Sequence, residues 1–344
     1  MRSRNLQLSK TLRLQNRVNM ADKNTSYTSA DVLPIKVVLD TQTVDHIRRY
    51  RRIPPIHAQV IPTNRCNRNC PMCSCSERTK NHEMDLFDVE TIAKDLRRLG
   101  CRAVTLTGGG EPLVHPQIVD IIRLFHVLDI EIGMTTNGML LHELPEEVVE
   151  LLTWCRISND DSRHMSPLYM ASLDKVFVGS SVGWGFSHVV SKTPNFEEIA
   201  RVVRYANEWK ITHVRLIADL FEPKAVDLTK VRQYLYEEGI DDSRVIYQNR
   251  QQPVRGGPCY IGYLKPLISA DCKVYACCGV QYALDPPTRD LPPELCIGDA
   301  LDLGALYDSS DVQLNGEICK TCYYDNYNNL LGSLLKDTTH EEFV

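Results

Sequence analysis

The sequence has no run of eighteen or more apolar residues, so no segment of it is suited to cross a membrane as a helix. It lacks an opening apolar segment of the secretory type, and no internal repeat or low-complexity tract is visible. It also lacks an excess of positive charge. Thirty-nine Lys and Arg against 44 Asp and Glu leave a net charge of −5, which argues against a chain built to grip a nucleic-acid backbone. Acids are missing from residues 1–20, where Arg2, Arg4, Lys10, Arg13 and Arg17 stand. That stretch is expected to be a solvated basic tail, with an Arg-rich transit peptide as the alternative. These exclusions leave a globular, cytoplasmic chain of 344 residues, 43% hydrophobic and 24% charged, with room for one large domain or two ordinary ones.

What the chain does have is thirteen cysteines, odd in number and clumped. A chain of this length needs no disulfide staples, so clumped cysteines point to metal ligation or thiol chemistry.

Hydrophobic periodicity predicts strands at 57–61, 103–106, 130–135, 155–158 and 214–218, with a further strand near 175–178 or 187–190. Helices are expected at 89–99, closed by Gly100, and at 118–128, 145–152, 196–209 and 228–237. Strands alternating with helices mean βαβ units and a parallel sheet, here a partial (β/α)6 TIM-like barrel. After Glu238 the rhythm changes to short strands and Gly-Pro turns, and seven of the thirteen cysteines follow. The expected division is a lead-in at 1–54, an α/β barrel at 55–245 and a small cysteine-rich α+β domain at 246–344.

Cys66, Cys70 and Cys73 directly follow the first strand. Three thiolates in one loop can converge on one metal centre. With Cys75 or a remote His they would make a zinc site, and by themselves they would leave one iron of a cubane cluster open. The second strand ends in Thr107-Gly-Gly-Gly-Glu111-Pro112, where glycine lets backbone approach a ligand and Glu111 offers a carboxylate to a cation. Asn137 follows the third strand, and Ser158 and Asp160 end the fourth. Polar residues at successive strand ends face one mouth of a barrel, where such folds place active sites.

Cys-x3-Cys-x2-Cys, Gly-Gly-Glu-Pro and Thr-Asn-Gly at three successive strand ends resemble the radical S-adenosylmethionine (SAM) superfamily. The resemblance implies a [4Fe–4S] cluster on Cys66, Cys70 and Cys73, with SAM chelating the fourth iron. It implies that Gly109, Gly110 and Glu111 bind the methionine amino group, that Asn137, Ser158 and Asp160 touch ribose and carboxylate, and that Met72 packs on adenine. One electron from the cluster would cleave SAM to a 5′-deoxyadenosyl radical that abstracts a substrate hydrogen. An electron donor such as flavodoxin or ferredoxin is then expected as a partner.

In the C-terminal region a hairpin with its turn at Asp271–Lys273 precedes Cys277, and Cys259 and Cys277 combine with Cys319-x-x-Cys322 into a four-thiolate set. By thiolates alone zinc and a [4Fe–4S] cluster are not distinguished. The set resembles the twitch domain, the shortened relative of the SPASM domain, which implies one auxiliary [4Fe–4S] cluster. Cys272 stands where that family's hairpin usually has Gly, and Cys272, Cys278 or Cys296 could replace a chosen ligand. Cys75, Cys101 and Cys155 are left over as well, the last two expected as buried small hydrophobes. Cys278 is the candidate catalytic residue, as a hydrogen-atom or proton donor. His115, Asp161, Arg163 and His164 are further residues that could meet substrate at the mouth.

The expected function is hydrogen abstraction from a small sugar- or cyclitol-like substrate, oxidised through the auxiliary cluster. Fifty-six residues ahead of the barrel are too few for a winged-helix peptide-recognition domain beside the tail, which favours a small substrate. A maturase or epimerase acting on a ribosomally made peptide is the alternative within the family, and a non-catalytic zinc module the alternative outside it.

Overall fold

The computed structural model describes residues 34–249, 257–308 and 314–337, and the basic tail at 1–20 lies outside the described residues. Two short helices, α1 (Ile35–Val38) and α2 (Thr41–Tyr50), lead in. Seven strands then run in register as one parallel sheet: β1 (His57–Val60), β2 (Ala103–Leu106), β3 (Glu131–Thr136), β4 (Trp154–Asp160), β5 (Gly183–Val190), β6 (His213–Ala218) and β7 (Val245–Gln248). Between them lie α3 (Leu86–Arg98), α4 (Ile118–Val127), α5 (Glu146–Val149), α6 (Pro167–Phe177), α7 (Phe196–Glu208) and α8 (Leu228–Glu237). Six βα units and a closing strand make the α/β partial TIM-like barrel.

The helices form where the sequence caps them. Asp85 accepts the Asp88 amide at 2.8 Å to start α3, whose Val89, Ile92, Ala93 and Leu96 are fully buried at helical spacing. The strand expected at 175–178 is the end of α6 instead, because Ser166 caps the Tyr169 amide and Pro167 takes the first helical position. Residues 187–190 belong to β5.

Alternation along the strands separates two faces. Val60, Val104, Leu106, Ile132, Met134, Ile157, Phe186 and Leu216 are at most 1% exposed and form the core beneath the helices. The opposite, inner face is polar. Register pairs Gln59 with Thr105, Thr135 with Arg156, Ser158 with Ser187 and Ser187 with Arg215 across neighbouring strands.

The cysteine-rich segment joins this sheet. After β8 (Pro258–Cys259) and α9 (Ile261–Leu264), β9 (Leu267–Ile268) pairs in parallel with β1. β10 (Lys273–Tyr275) and β11 (Cys296–Asp299) extend it antiparallel, giving a ten-stranded sheet. Cys277 and Cys278 lie between β10 and α10 (Val280–Ala283), and α11 (Leu303–Asp308) follows β11. β12 (Leu314–Asn315) pairs with β8, and α12 (Asp325–Leu334) closes the described chain. A second core joins Val37, Ile47 and Ile53 of the lead-in to Ile261, Leu264, Tyr282, Tyr324 and Leu331. Among the described residues no helix is long and apolar enough to cross a membrane.

Candidate active site

The loop after β1 and the glycine turn after β2 are held together by backbone. The Gly110 amide donates to the Thr63 carbonyl at 3.0 Å and the Glu111 amide to the Arg65 carbonyl at 2.8 Å. A Cβ on Gly110 would lie 1.8 Å from the Arg65 carbonyl oxygen, so only glycine permits this approach. Between the two segments is a cavity of about 490 Å³ lined by Cys66, Cys73, Cys75, Arg68, Lys80 and the three glycines. A cleft of about 590 Å³ lies at α7, lined by Glu197, Arg201, Tyr205 and Glu238, and has no thiol in its wall.

Cys66 is exposed, Cys70 and Cys73 half-buried. The Arg68 amide points at Cys66 Sγ and the Cys75 amide at Cys73 Sγ, both at 3.4 Å. Partial desolvation in the loop pushes the Cys66 and Cys70 thiols up, Asp160 adding to this at Cys70 while Arg68 opposes it, and at Cys73 the hydrogen bond with the Cys75 thiol comes first and burial second. Met72 is half-buried next to Cys73.

Glu111 is 3% exposed and ties the ends of β2 and β3 together. Its Oε1 accepts from the Thr136 hydroxyl at 2.6 Å and the Leu113 amide at 3.1 Å, and its Oε2 accepts from the Asn137 amide at 2.6 Å. Burial raises its carboxyl pKa against those hydrogen bonds. With about four lone-pair positions, the carboxylate keeps acceptor capacity for a further cation. Arg163, 7% exposed, donates to the carbonyls of Asn137 at 2.6 Å and Ser158 at 2.9 Å and lies 4.2 Å from the Tyr169 ring centroid. It knits the ends of β3 and β4. Gly109 lies against Asn64, Glu111 is bonded to Arg65, Asn137 to Asn67 and Asp160 to Arg68, so these strand ends meet the cysteine loop, while Ser158 is joined to them through Arg163.

Three of the loop residues expected at the mouth do other work. The His115 ring is 2% exposed and saturated, with Nδ1 accepting from the Gln117 amide and Nε2 donating to the Met84 carbonyl. Asp161 binds His188 Nε2 and the Ser191 amide, and His164 reaches Glu198 from the surface. Residues missed in the sequence are Asn64, Arg78, Gln281 and Arg289. All are single polar residues without a motif; Asn64 and Arg78 flank the cysteine loop in sequence, and the fold brings Gln281 and Arg289 to it.

The second thiol set gathers around Cys277. Burial first, then Cys278, Cys259 and Cys319, push its thiol well up, and the Gly279 amide points at its Sγ at 3.3 Å. Asn328, 1% exposed, accepts both the Tyr260 and Ile261 amides through Oδ1 while its Nδ2 faces Cys322 Sγ at 3.9 Å. It thereby ties the Cys259 strand to Cys322. Cys278 Sγ lies 3.0 Å from the Tyr324 hydroxyl. Cys272 has left-handed backbone (φ 58°), and burial, followed by Asp88, Asp271 and Asp299, pushes its thiol up to about 12. The Cys296 thiol faces the Gly298 carbonyl at 3.5 Å. Cys101 and Cys155 are fully buried, as expected.

Residues 60–157 match the family model of the Radical SAM superfamily. That match takes in 98 of the 344 residues, from the end of β1 into β4. A probable GTP 3′,8-cyclase of Pyrococcus abyssi is 37% identical over 109 residues, 30% of this chain and 34% of that protein. One of Pyrococcus horikoshii is 29% identical over 173 residues, 47% of this chain and 55% of that protein. The chain thus spans between a third and a little over half of these relatives' lengths. Among solved structures, Streptococcus suis SuiB bound to precursor peptide SuiA superposes with a TM-score of 0.57 at 14% identity, over 94% of this chain and 85% of that one. The protein anSMEcpe with bound AdoMet superposes with 0.54 at 17%, over 78% and 83%. At these identities the likeness is one of fold.

Radical SAM proteins use a [4Fe–4S] cluster and SAM, and the residues present fit both. A cube of iron and sulfur takes each thiolate on a different corner, so thiols spread along a loop suit it. Amides aimed at cysteine sulfurs supply hydrogen bonds of the kind that tune such clusters.

Proposed function

We propose that this radical SAM protein is an oxidoreductase that abstracts a hydrogen atom from a small sugar- or cyclitol-like substrate. Cys66, Cys70 and Cys73 would hold the SAM-binding cluster, and Cys259, Cys277, Cys319 and Cys322 an auxiliary [4Fe–4S] cluster that accepts the substrate's second electron. When bound, the first cluster supplies the electron that cleaves SAM and so the 5′-deoxyadenosyl radical.

The observation that carries the substrate class is the inner face of the sheet. Gln59, Thr105, Thr135, Arg156, Ser158, Ser187 and Arg215 are neighbours in register on that face, a row of hydrogen-bonding groups suited to hydroxyls. Glu111, Gly109 and Gly110 would hold the methionine amino group, and Asn137, Ser158 and Asp160 the ribose and carboxylate. Met72 would pack on adenine. The four C-terminal thiols supply all-cysteine ligation, which suits electron transfer rather than substrate binding at an open iron. An exposed Cys66 leaves the loop within reach of a flavodoxin or ferredoxin. Thirteen free thiols suit a reducing compartment such as the cytoplasm.

A peptide epimerase or maturase is the second reading, favoured by the Cys278–Tyr324 contact, a thiol and a phenol placed to relay a hydrogen atom. The test is anaerobic reconstitution followed by reduction with SAM present. Release of 5′-deoxyadenosine, absent in Cys66→Ala, supports radical chemistry. Deuterium transferred to 5′-deoxyadenosine from a ring-deuterated cyclitol, with product two hydrogens lighter, supports the oxidation. Zinc without iron in the reconstituted protein overturns both readings.

A further inference from the structure

Arg78 stands five residues after Cys73 and is 4% exposed. Its Nη2 donates to Gln281 Oε1, 2.9 Å away, in the helix that follows Cys277. Gln281 is itself 5% exposed. Nε and Nη1 of Arg78 are buried without a hydrogen-bond partner. The other cations of the loop are matched. Arg65 pairs with Glu83 at 2.6 Å and Arg68 with Asp160 at 3.7 Å. Lys80 meets the Cys75 carbonyl at 3.2 Å and Arg289 the Cys73 carbonyl at 2.5 Å.

A buried guanidinium that meets only a neutral amide is strongly unfavourable, and such a charge is retained where an opposite charge meets it. Two contacts locate that opposite charge. The Arg78 amide donates to the Cys75 carbonyl at 3.3 Å, which fixes the residue against the cysteine loop. On the other side, a Cβ placed on Gly109 would lie 3.1 Å from Nη1. Nη1 therefore lies against the glycine turn that walls the 490 Å³ cavity, one layer behind its lining. A [4Fe–4S] cluster with its thiolates is anionic, and it gains a further negative charge on reduction.

We propose that Arg78 is a positioning residue whose buried charge is balanced by the cluster on Cys66, Cys70 and Cys73 and raises its reduction potential, with Gln281 holding the guanidinium in place. This rests on the cluster assignment made above. A fixed cation favours the more negative, reduced state, so its removal must lower the potential. Gln281 makes the same tie reach the Cys277 segment, which links the electrostatics of the first site to the docking of the second.

The test is an EPR-monitored redox titration of reconstituted protein carrying Cys319→Ala and Cys322→Ala, so that the first cluster is read alone. Arg78→Gln is expected to load four irons per chain and to lower the reduction equilibrium constant about tenfold, about 59 mV for a one-electron couple. Arg78→Lys, which keeps the charge, is expected to stay within about threefold of the parent, or about 28 mV on the same scale. Loading of Arg78→Lys where Arg78→Gln fails to load also supports the proposal. A fully loaded Arg78→Gln protein at the parent potential overturns it. So does Arg78→Lys shifting as far as Arg78→Gln, or neither variant loading while the parent does, which would make Arg78 a structural tie. If the parent takes no iron at Cys66, Cys70 and Cys73, the cluster assignment itself falls, and the role of Arg78 with it.

Discussion

Arg289 donates from Nη1 to the Cys73 carbonyl at 2.5 Å, and its guanidinium lies 4.1 Å from the Phe221 ring centroid. The C-terminal segment thereby holds the loop of the first thiol set directly. Arg289→Ala removes one hydrogen bond and one cation–π contact, together worth roughly 1–2 kcal/mol. The expected result is full iron loading with faster limited proteolysis within residues 66–80. Unchanged cleavage kinetics would show that the contact does not restrain the loop.

Glu111→Gln places an amide NH2 opposite a donor, either the Thr136 hydroxyl or the Asn137 amide. A misdirected buried donor costs about 1–3 kcal/mol. Thermal unfolding should fall by several degrees, and SAM should bind at least about tenfold more weakly by equilibrium dialysis.

Iron counts separate the two thiol sets. The parent should take about eight irons per chain, and Cys66→Ala or Cys319→Ala about four each. Cys272→Gly should keep all eight, because Cys272 is grouped with carboxylates and not with the other thiols. Its left-handed φ of 58° costs about 1 kcal/mol that glycine does not incur, so the melting temperature should hold or rise. A loss of four irons in Cys272→Gly would make it a ligand.

Acid should weaken the fold through His213. Burial, then Arg156 and Arg215, lower its pKa from 6.5 to about 3. Between those values the unfolded chain binds a proton that the folded chain refuses. Stability is therefore complete above about pH 6.5 and is lost as pH falls toward 3, with a slope approaching about 1.4 kcal/mol per pH unit. His213→Gln should flatten the urea midpoint of the apo chain between pH 6 and 4. An unaltered slope would place the acid sensitivity elsewhere, His57 being the next candidate because burial holds its pKa well below 6.5.

The barrel and the first thiol loop were legible in the sequence because both depend on local order. Strand periodicity, capping residues such as Asp85 and Asn195, and motifs at strand ends all lie within a few residues of what they specify. For the second set, the hairpin and the Cys-x-x-Cys were legible as local features, while the approach of Cys259 and Cys319 to Cys277 is a long-range matter of the fold. What escaped depends on long-range placement. Pairing of β1 with β9 joins segments that no periodicity relates, and Arg78, Gln281 and Arg289 matter only through distant partners. His115 was misjudged because a polar ring after a turn looks solvent-facing until both nitrogens find buried backbone partners.

The parallel pairing of β9 with β1 bears on how this protein can be taken apart. A chain cut after β7 would leave the β1 edge with open amides and carbonyls beside the thiol loop, a template for association with other chains. The cysteine-rich portion is thus not an exchangeable cassette. Grafting another auxiliary segment onto this barrel requires matching the β9–β10 hairpin to the β1 edge before any thiol is considered.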